Sequence, residues 1–179
     1  VHAKFLDIGG RGQPAAIGMD ILFTEPSLHG ADDDRALGAA VDRVRDRLVL
    51  AAALTTVGDA SFVKQALNPP IPEVRGKASF GSADYDSDAD AFVRRATLRR
   101  DFQERDWPGF DLLIYRLAEK AGLARGPSPT GRELIVNYRG GPGSFPMVAY
   151  HRVVTGEVPP EVFAGKIVLV GATTPTLHD

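Results

Sequence analysis

Residues Gly165–Pro175 read GKIVLVGATTP, with four apolar residues held between Gly165-Lys166 and Gly171-Ala172. A run that short, rich in Ile and Val and closed by glycines, predicts a strand buried on both faces, as in a parallel sheet. The backbone beyond it then leaves the C-terminal edge of the sheet, where α/β domains usually hold ligands.

Three further segments read as buried strands: Ala15–Leu22, Leu48–Leu54, and Leu134–Asn137 with its flanks. Two segments carry helical periodicity instead. In Asp34–Arg47 the apolar residues Leu37, Ala40, Val41 and Val44 recur at three- and four-residue steps. Asp32, Asp33 and Asp34 stand where an N-cap and a favourable helix-dipole charge are wanted. In Pro108–Ala121 the residues Phe110, Leu113, Ile114, Leu117 and Ala121 form one stripe, with Pro108 suited to the first turn and Gly122 to the exit. A helix from His2 to Leu6 or Asp7 and a shorter one around Val148–Thr155 complete the set. Strands alternating with helices imply right-handed βαβ units, hence an α/β fold with a mostly parallel sheet flanked by helices.

The middle breaks this alternation. Lys77–Gly81 and Phe92–Leu98 resemble the arms of an antiparallel hairpin excursion around 77–98, with the acidic stretch Asp84–Asp90 between them. Pro69, Pro70 and Pro72 mark a stiff loop rather than a boundary, so residues 1–179 read as a single domain.

Several function classes are excluded by simple counts. The net charge of −2 offers no electrostatic footprint for nucleic acid. Cysteine is absent, which excludes disulfides and thiolate metal sites and leaves the redox compartment open. No apolar run approaches the roughly 18–20 residues that span a bilayer. The opening VHAKFLDIGG lacks the apolar core of a signal peptide. The visible chain therefore reads as soluble, with flanking membrane segments left open.

No set of side chains assembles a catalytic site. Asp84, Asp86, Asp88 and Asp90 alternate like the first half of a calcium loop, but Ala89 replaces the glycine and Arg95 the glutamate that such a loop needs. A solvated turn is the competing reading, with Arg94 or Arg95 pairing with one of its carboxylates. Asp20 followed by Thr24 resembles the nucleophile strand of dehalogenase-like phosphatases, yet Leu22 stands where the general acid belongs. Gly9–Gly12 follows a helix and reads as its C-terminal turn. Gly140–Ser144 follows a strand but lacks the Lys-Ser/Thr pair of a P-loop. The four histidines show no ligand spacing.

Five segments, taken in order, resemble the CHASE domains of the second type, the sensory extracellular domains associated with cyclases and histidine kinases. They are Ile17–Ser27 (IGMDILFTEPS), Asp33–Val41 (DDRALGAAV), Asp86–Leu98, Leu134–Pro146 (LIVNYRGGPGSFP) and Val158–Pro175. The resemblance implies an extracytoplasmic sensory domain of a bacterial membrane receptor. Flanking transmembrane helices absent from this chain would tether it, and a cytoplasmic cyclase, kinase or cyclic-di-nucleotide enzyme would give the output. Against the family pattern the chain looks trimmed at both ends. The same resemblance implies no enzyme activity in this domain, no cofactor, a small-molecule or protein cue, and a homodimer formed through the full-length receptor.

If a small ligand binds, an α/β sheet places it beyond the C-terminal strand edges. The candidate ligand-binding residues there are Asp20 and Glu25, then Asn137, Tyr138 and Arg139, and finally Ser144, Thr173 and Thr174. Arg139 suits a bidentate grip on an anionic group. Two other readings compete: a dimerisation or protein-contact module using the Asp84–Leu98 stretch and the Trp107–Pro108 turn, and a phosphatase-like hydrolase using Asp20.

Overall fold

A computed structural model describes residues 1–58, 63–141 and 143–173. In chain order the elements are α1 (His2–Arg11), β1 (Ala16–Met19), α2 (Ala31–Val44), β2 (Leu48–Gly58), β3 (Val63–Asn68), α3 (Pro72–Arg75), β4 (Ser79–Ser82) and β5 (Arg95–Thr97). They continue with β6 (Arg99–Phe102), β7 (Arg105–Pro108), α4 (Phe110–Lys120), β8 (Glu133–Ile135), α5 (Tyr150–Thr155) and β9 (Ile167–Val170). The expected α/β class holds: a parallel core of strands between helices, with antiparallel pairings outside it.

β1 lies at the centre, parallel to β2 on one side and to β9 on the other. β2 is long and changes partner along its length. Its first half pairs with β4 in parallel through Val49–Ala52, and its second half pairs with β3 antiparallel. Alternation along β1 divides the core. Ile17 and Met19, at 1% and 0% exposure, face α1 and α2 and join Leu6, Leu37, Val41, Leu48 and Leu50. Ala16, Val49 and Ala51 face the other way, against Phe110 and Ile114 of α4. The periodic stripes of α2 and α4 thus cover opposite faces of one sheet.

The acidic start of α2 does more than cap it. Both carboxylate oxygens of buried Asp34 accept the Ser27 amide at 3.1 Å, and Asp33 accepts the Ser27 hydroxyl at 2.8 Å. Together they clip the loop after β1 onto the helix, a side-chain route to backbone satisfaction.

Four local expectations are corrected. β9 is not buried on both faces: Ile167 and Leu169 are 44% and 68% exposed, while Val170 is buried. The cause is position, because β9 pairs with β1 alone among the described strands and α4 packs on β1, β2 and β4. Leu134 and its neighbours do not enter the main sheet; β8 pairs antiparallel with β5, Ala96 opposite Leu134. The 77–98 stretch does not pair with itself either, since β4 joins β2 and β5 joins β8. Finally α1 runs through Gly9 and Gly10 to Arg11, so these two glycines lie within the helix, while Gly12 is its C-cap and stands in the expected exit turn. Gly9 sits against the Phe5 ring, and a Cβ at Gly10 would come within 2.6 Å of Val44, so small residues let α1 approach α2.

Candidate functional site

The C-terminal ends of the parallel strands bring together groups distant in sequence. Asp20 follows β1 and donates its amide to Val170 at 2.7 Å, which ties the ends of β1 and β9. Asp84 follows β4, and its Oδ2 accepts the Leu54 amide at 2.7 Å and the Ser82 hydroxyl at 2.6 Å. Asp111 opens α4, and its Oδ1 accepts the Leu112 amide at 2.8 Å. Burial raises the Asp111 carboxyl above the usual carboxylate range. Burial also raises the Tyr85 phenol, with the charges of Asp111 and Asp20 adding to it. This edge is acidic, and the carboxylates of Asp84 and Asp111 satisfy local backbone.

Beside it, where β2 leaves the parallel sheet, a cleft of about 270 Å³ opens. Leu54 and Gln65 contribute from β2 and β3, Thr97 and Glu133 from the β5–β8 pair, and Arg99, Arg100 and Asp101 from the β6–β7 ribbon. Arg132, just before β8, completes the basic component.

The arginines are held by acids. Arg100 Nη2 donates to Asp86 Oδ2 at 2.9 Å and to the Asp84 carbonyl at 3.1 Å, and Thr97 donates to the same Asp86 oxygen at 3.2 Å. Arg99 pairs with Asp106 at 2.5 Å. Arg132 grips Asp101 through both terminal nitrogens, at 2.7 and 2.9 Å, and the hydrogen bonding raises its guanidinium pKa. Outside the cleft Arg94 pairs with Asp90 at 2.7 Å and Asp88 at 2.8 Å, which holds the Asp90 carboxyl below its usual range. The alternating aspartates are thus engaged by backbone, hydroxyl and guanidinium donors. Among the described residues, no group of three or more acidic or His side chains is arranged to hold a metal ion.

Among the described residues, two buried side-chain donors are exceptions to this satisfaction. Arg100 Nε and Trp107 Nε1 have no hydrogen-bond partner, and they belong to residues directly opposite each other in the β6–β7 ribbon. Directly opposed residues share a face of a ribbon. The Trp107 ring also rests near Phe80, with centroids 5.9 Å apart, so the half-buried end of β7, expected to be a turn, is a strand packed on the domain itself.

The eight residues expected at the ligand edge separate. Asp20 and Thr173 follow β1 and β9 at that edge, while Glu25 is exposed in the loop after β1. Asn137, Tyr138 and Arg139 follow β8, so its pairing with β5 carries them away from the ends of the parallel strands. Tyr138 donates to the Val93 carbonyl at 2.5 Å, and Ser144 closes its own turn onto Gly141 at 2.7 Å. Thr174 lies outside the described residues. None of the seven described residues lines the cleft. The ribbon that carries Arg99 and Arg100 is not among the elements expected from the sequence. The repeated Arg-Asp pattern of RRDF and RDWP, on either side of Gln103-Glu104, was the available signal.

A family model described as the CHASE2 domain matches residues 1–179, the whole chain. No curated protein and no solved structure matches it.

Proposed function

The chain belongs to the CHASE2 domain family, whose members are sensory domains of signalling receptors, and on that premise we propose that it is the extracytoplasmic input domain of a bacterial membrane receptor. The match along residues 1–179 is the observation that carries this reading. In it, transmembrane helices outside the given sequence tether the domain, and a cytoplasmic cyclase, kinase or cyclic-di-nucleotide enzyme responds to it. A homodimer of the full-length receptor transmits the change.

The geometry supports a sensor in one respect. The cleft is bounded by three separately paired units: β2 with β3, β5 with β8, and β6 with β7. A ligand that bridges them and prefers one relative placement shifts a population between two arrangements, which is what signalling requires.

Topology can be tested directly because the chain has no cysteine. Leu28, fully exposed, is a neutral place for a single thiol. Leu28→Cys in the full-length receptor is expected to react with a membrane-impermeant maleimide on intact cells, above the level of the parent protein. Labelling that appears only after lysis would overturn the extracytoplasmic assignment.

A further inference from the structure

We propose that β8 is an interface between two copies of this chain, which pair antiparallel through its open edge with Val136 opposite Val136 of the second copy. The assignment gives the homodimer of the sensory reading a surface, and rests on that reading for the dimer's purpose.

The stretch around β8 is apolar and open. Ile135 and Tyr138 are 72% and 65% exposed, and every described residue from 131 to 149 is exposed except Val136. Large apolar residues left in solvent together mark an interaction surface.

The backbone is open along the same line. β8 pairs with β5 alone among the described strands, and the ladder runs one residue further, where Val136 donates its amide to the Arg94 carbonyl at 2.9 Å. Antiparallel bonding alternates, so Leu134 and Val136 turn their amides and carbonyls towards β5 while Glu133 and Ile135 turn theirs outward. The far side of β5 is closed, since a Cβ at Gly109 would lie 2.9 Å from the Thr97 carbonyl. An uncovered edge such as that of β8 is a template for another strand.

Charge selects the strand that fits. Glu133 and Arg139 stand six residues apart, and neither belongs to an ion pair of the described residues. Two copies opposed about Val136 bring Glu133 of each across from Arg139 of the other, and Leu134 across from Tyr138. The same register sets Ile135 against Asn137, which joins outward backbone to outward backbone as the ladder requires. Centring the pair on Ile135 or Asn137 instead leaves Glu133 opposite Asn137 or Gly141, and both charge pairs are lost. Opposite charges facing across a ladder are favourable. A two-fold contact must be self-complementary, and this edge is.

The product is one sheet, β5–β8–β8–β5, across the two-fold axis. Thr97 and Glu133 of that sheet line the cleft, so a shift of the β5–β8 pair against the ribbon passes to the second copy.

Single cysteines report the register, because the chain has none of its own. Val136 meets its own copy at a non-hydrogen-bonded position, where Cα atoms lie about 4.5 Å apart, within the roughly 4.4–6.8 Å of disulfides. Under mild oxidation, Val136→Cys in the 1–179 chain is expected to form a disulfide-linked dimer about tenfold or more faster than Ile135→Cys or Leu28→Cys. Sedimentation of the parent chain is expected to show a monomer–dimer equilibrium below about 1 mM. Glu133→Arg and Arg139→Glu are each expected to weaken it about tenfold or more, and the double variant to return within about threefold of the parent. Arg139 does not line the cleft, so Arg139→Glu and Val136→Cys carry the test if Glu133→Arg does not fold. A parent chain that stays monomeric at about 1 mM overturns the proposal. So does Ile135→Cys crosslinking as fast as Val136→Cys, or a double variant no better than either single one. Any of these with successful labelling of Leu28→Cys leaves the extracytoplasmic sensory reading in place. Labelling only after lysis, with the dimer intact, removes that reading alone.

Discussion

Gly38 of α2 lies directly against the carbonyl of Glu73 in α3: a Cβ at Gly38 would meet that oxygen at 2.1 Å. Two opposing effects follow for Gly38→Ala. Alanine favours a helix interior by about 1 kcal/mol over glycine. The clash is with backbone, which cannot rotate away, and overpacking of this kind costs typically 1–3 kcal/mol. We expect net destabilisation of about 1–2 kcal/mol by urea unfolding. A neutral or stabilising Gly38→Ala would mean that α2 and α3 do not pack this closely.

The edge position of β9 makes a contrast on neighbouring strands. Met19 of β1 is 0% exposed, so Met19→Ala is expected to cost about 2–5 kcal/mol. Leu169 pairs with Gly18 in register but is 68% exposed, and Leu169→Ala is expected to stay within about 0.5 kcal/mol. Equal costs at the two sites would place a covering element over β9 in solution.

How much of this was legible in the sequence depends on how local the determining forces were. The stripes of α2 and α4 follow from residues within two turns of one another, so periodicity found both helices. Whether a strand is covered depends on what packs over it. Ile167–Val170 reads as a doubly buried strand, yet nothing in GKIVLVG says that α4 stops short of it. Partner choice is less local still: β8 pairs with β5 across the whole of α4. The β6–β7 ribbon was invisible for a different reason. Its turn residues, Gln103 and Glu104, have φ of 49° and 59°, where Asn-Gly or Asp-Gly is the usual signal. The cleft that this ribbon builds is therefore not legible in the sequence, whereas the end of β1 just before Asp20 is.

The same turn gives a stabilising design. Non-glycine residues in the left-handed region cost roughly 1–2 kcal/mol each, less for Asn. Gln103→Asn with Glu104→Gly supplies the sequence that a two-residue hairpin prefers. The double variant is expected to raise stability by about 1 kcal/mol or more, read as a shift of the urea midpoint at constant slope. A loss of stability would show that the ribbon does not turn at these two residues.

Asp84 closes the end of β4 through two short hydrogen bonds, to Leu54 and to buried Ser82. Asp84→Ala leaves both donors unsatisfied, a cost of about 1–3 kcal/mol per buried group. Asp84→Asn keeps an acceptor oxygen of the same shape and is expected to recover more than half of the loss. If Asn and Ala are equally damaging, the carboxylate's charge rather than its acceptor geometry holds this corner.

The contact between His2 and Tyr150 gives the fold a pH dependence at both ends. His2 Nδ1 lies 2.7 Å from the Tyr150 hydroxyl, with the Tyr150 ring stacked on Phe5. Burial lowers the His2 pKa below its ordinary 6.5, and Asp33 opposes the effect. The unfolded chain therefore takes up this proton first, so the contribution is intact above pH 6.5 and is lost as pH falls through the folded value. Burial pushes the Tyr150 phenol from 10.0 up to about 12, so the folded chain keeps a proton that the unfolded chain releases. That contribution is intact below pH 10.0 and is lost as pH rises towards about 12. Urea midpoints measured across this range should fall at both limbs. His2→Gln is expected to flatten the acid limb and Tyr150→Phe the alkaline one. An acid limb unchanged in His2→Gln would assign that loss of stability to carboxylates instead.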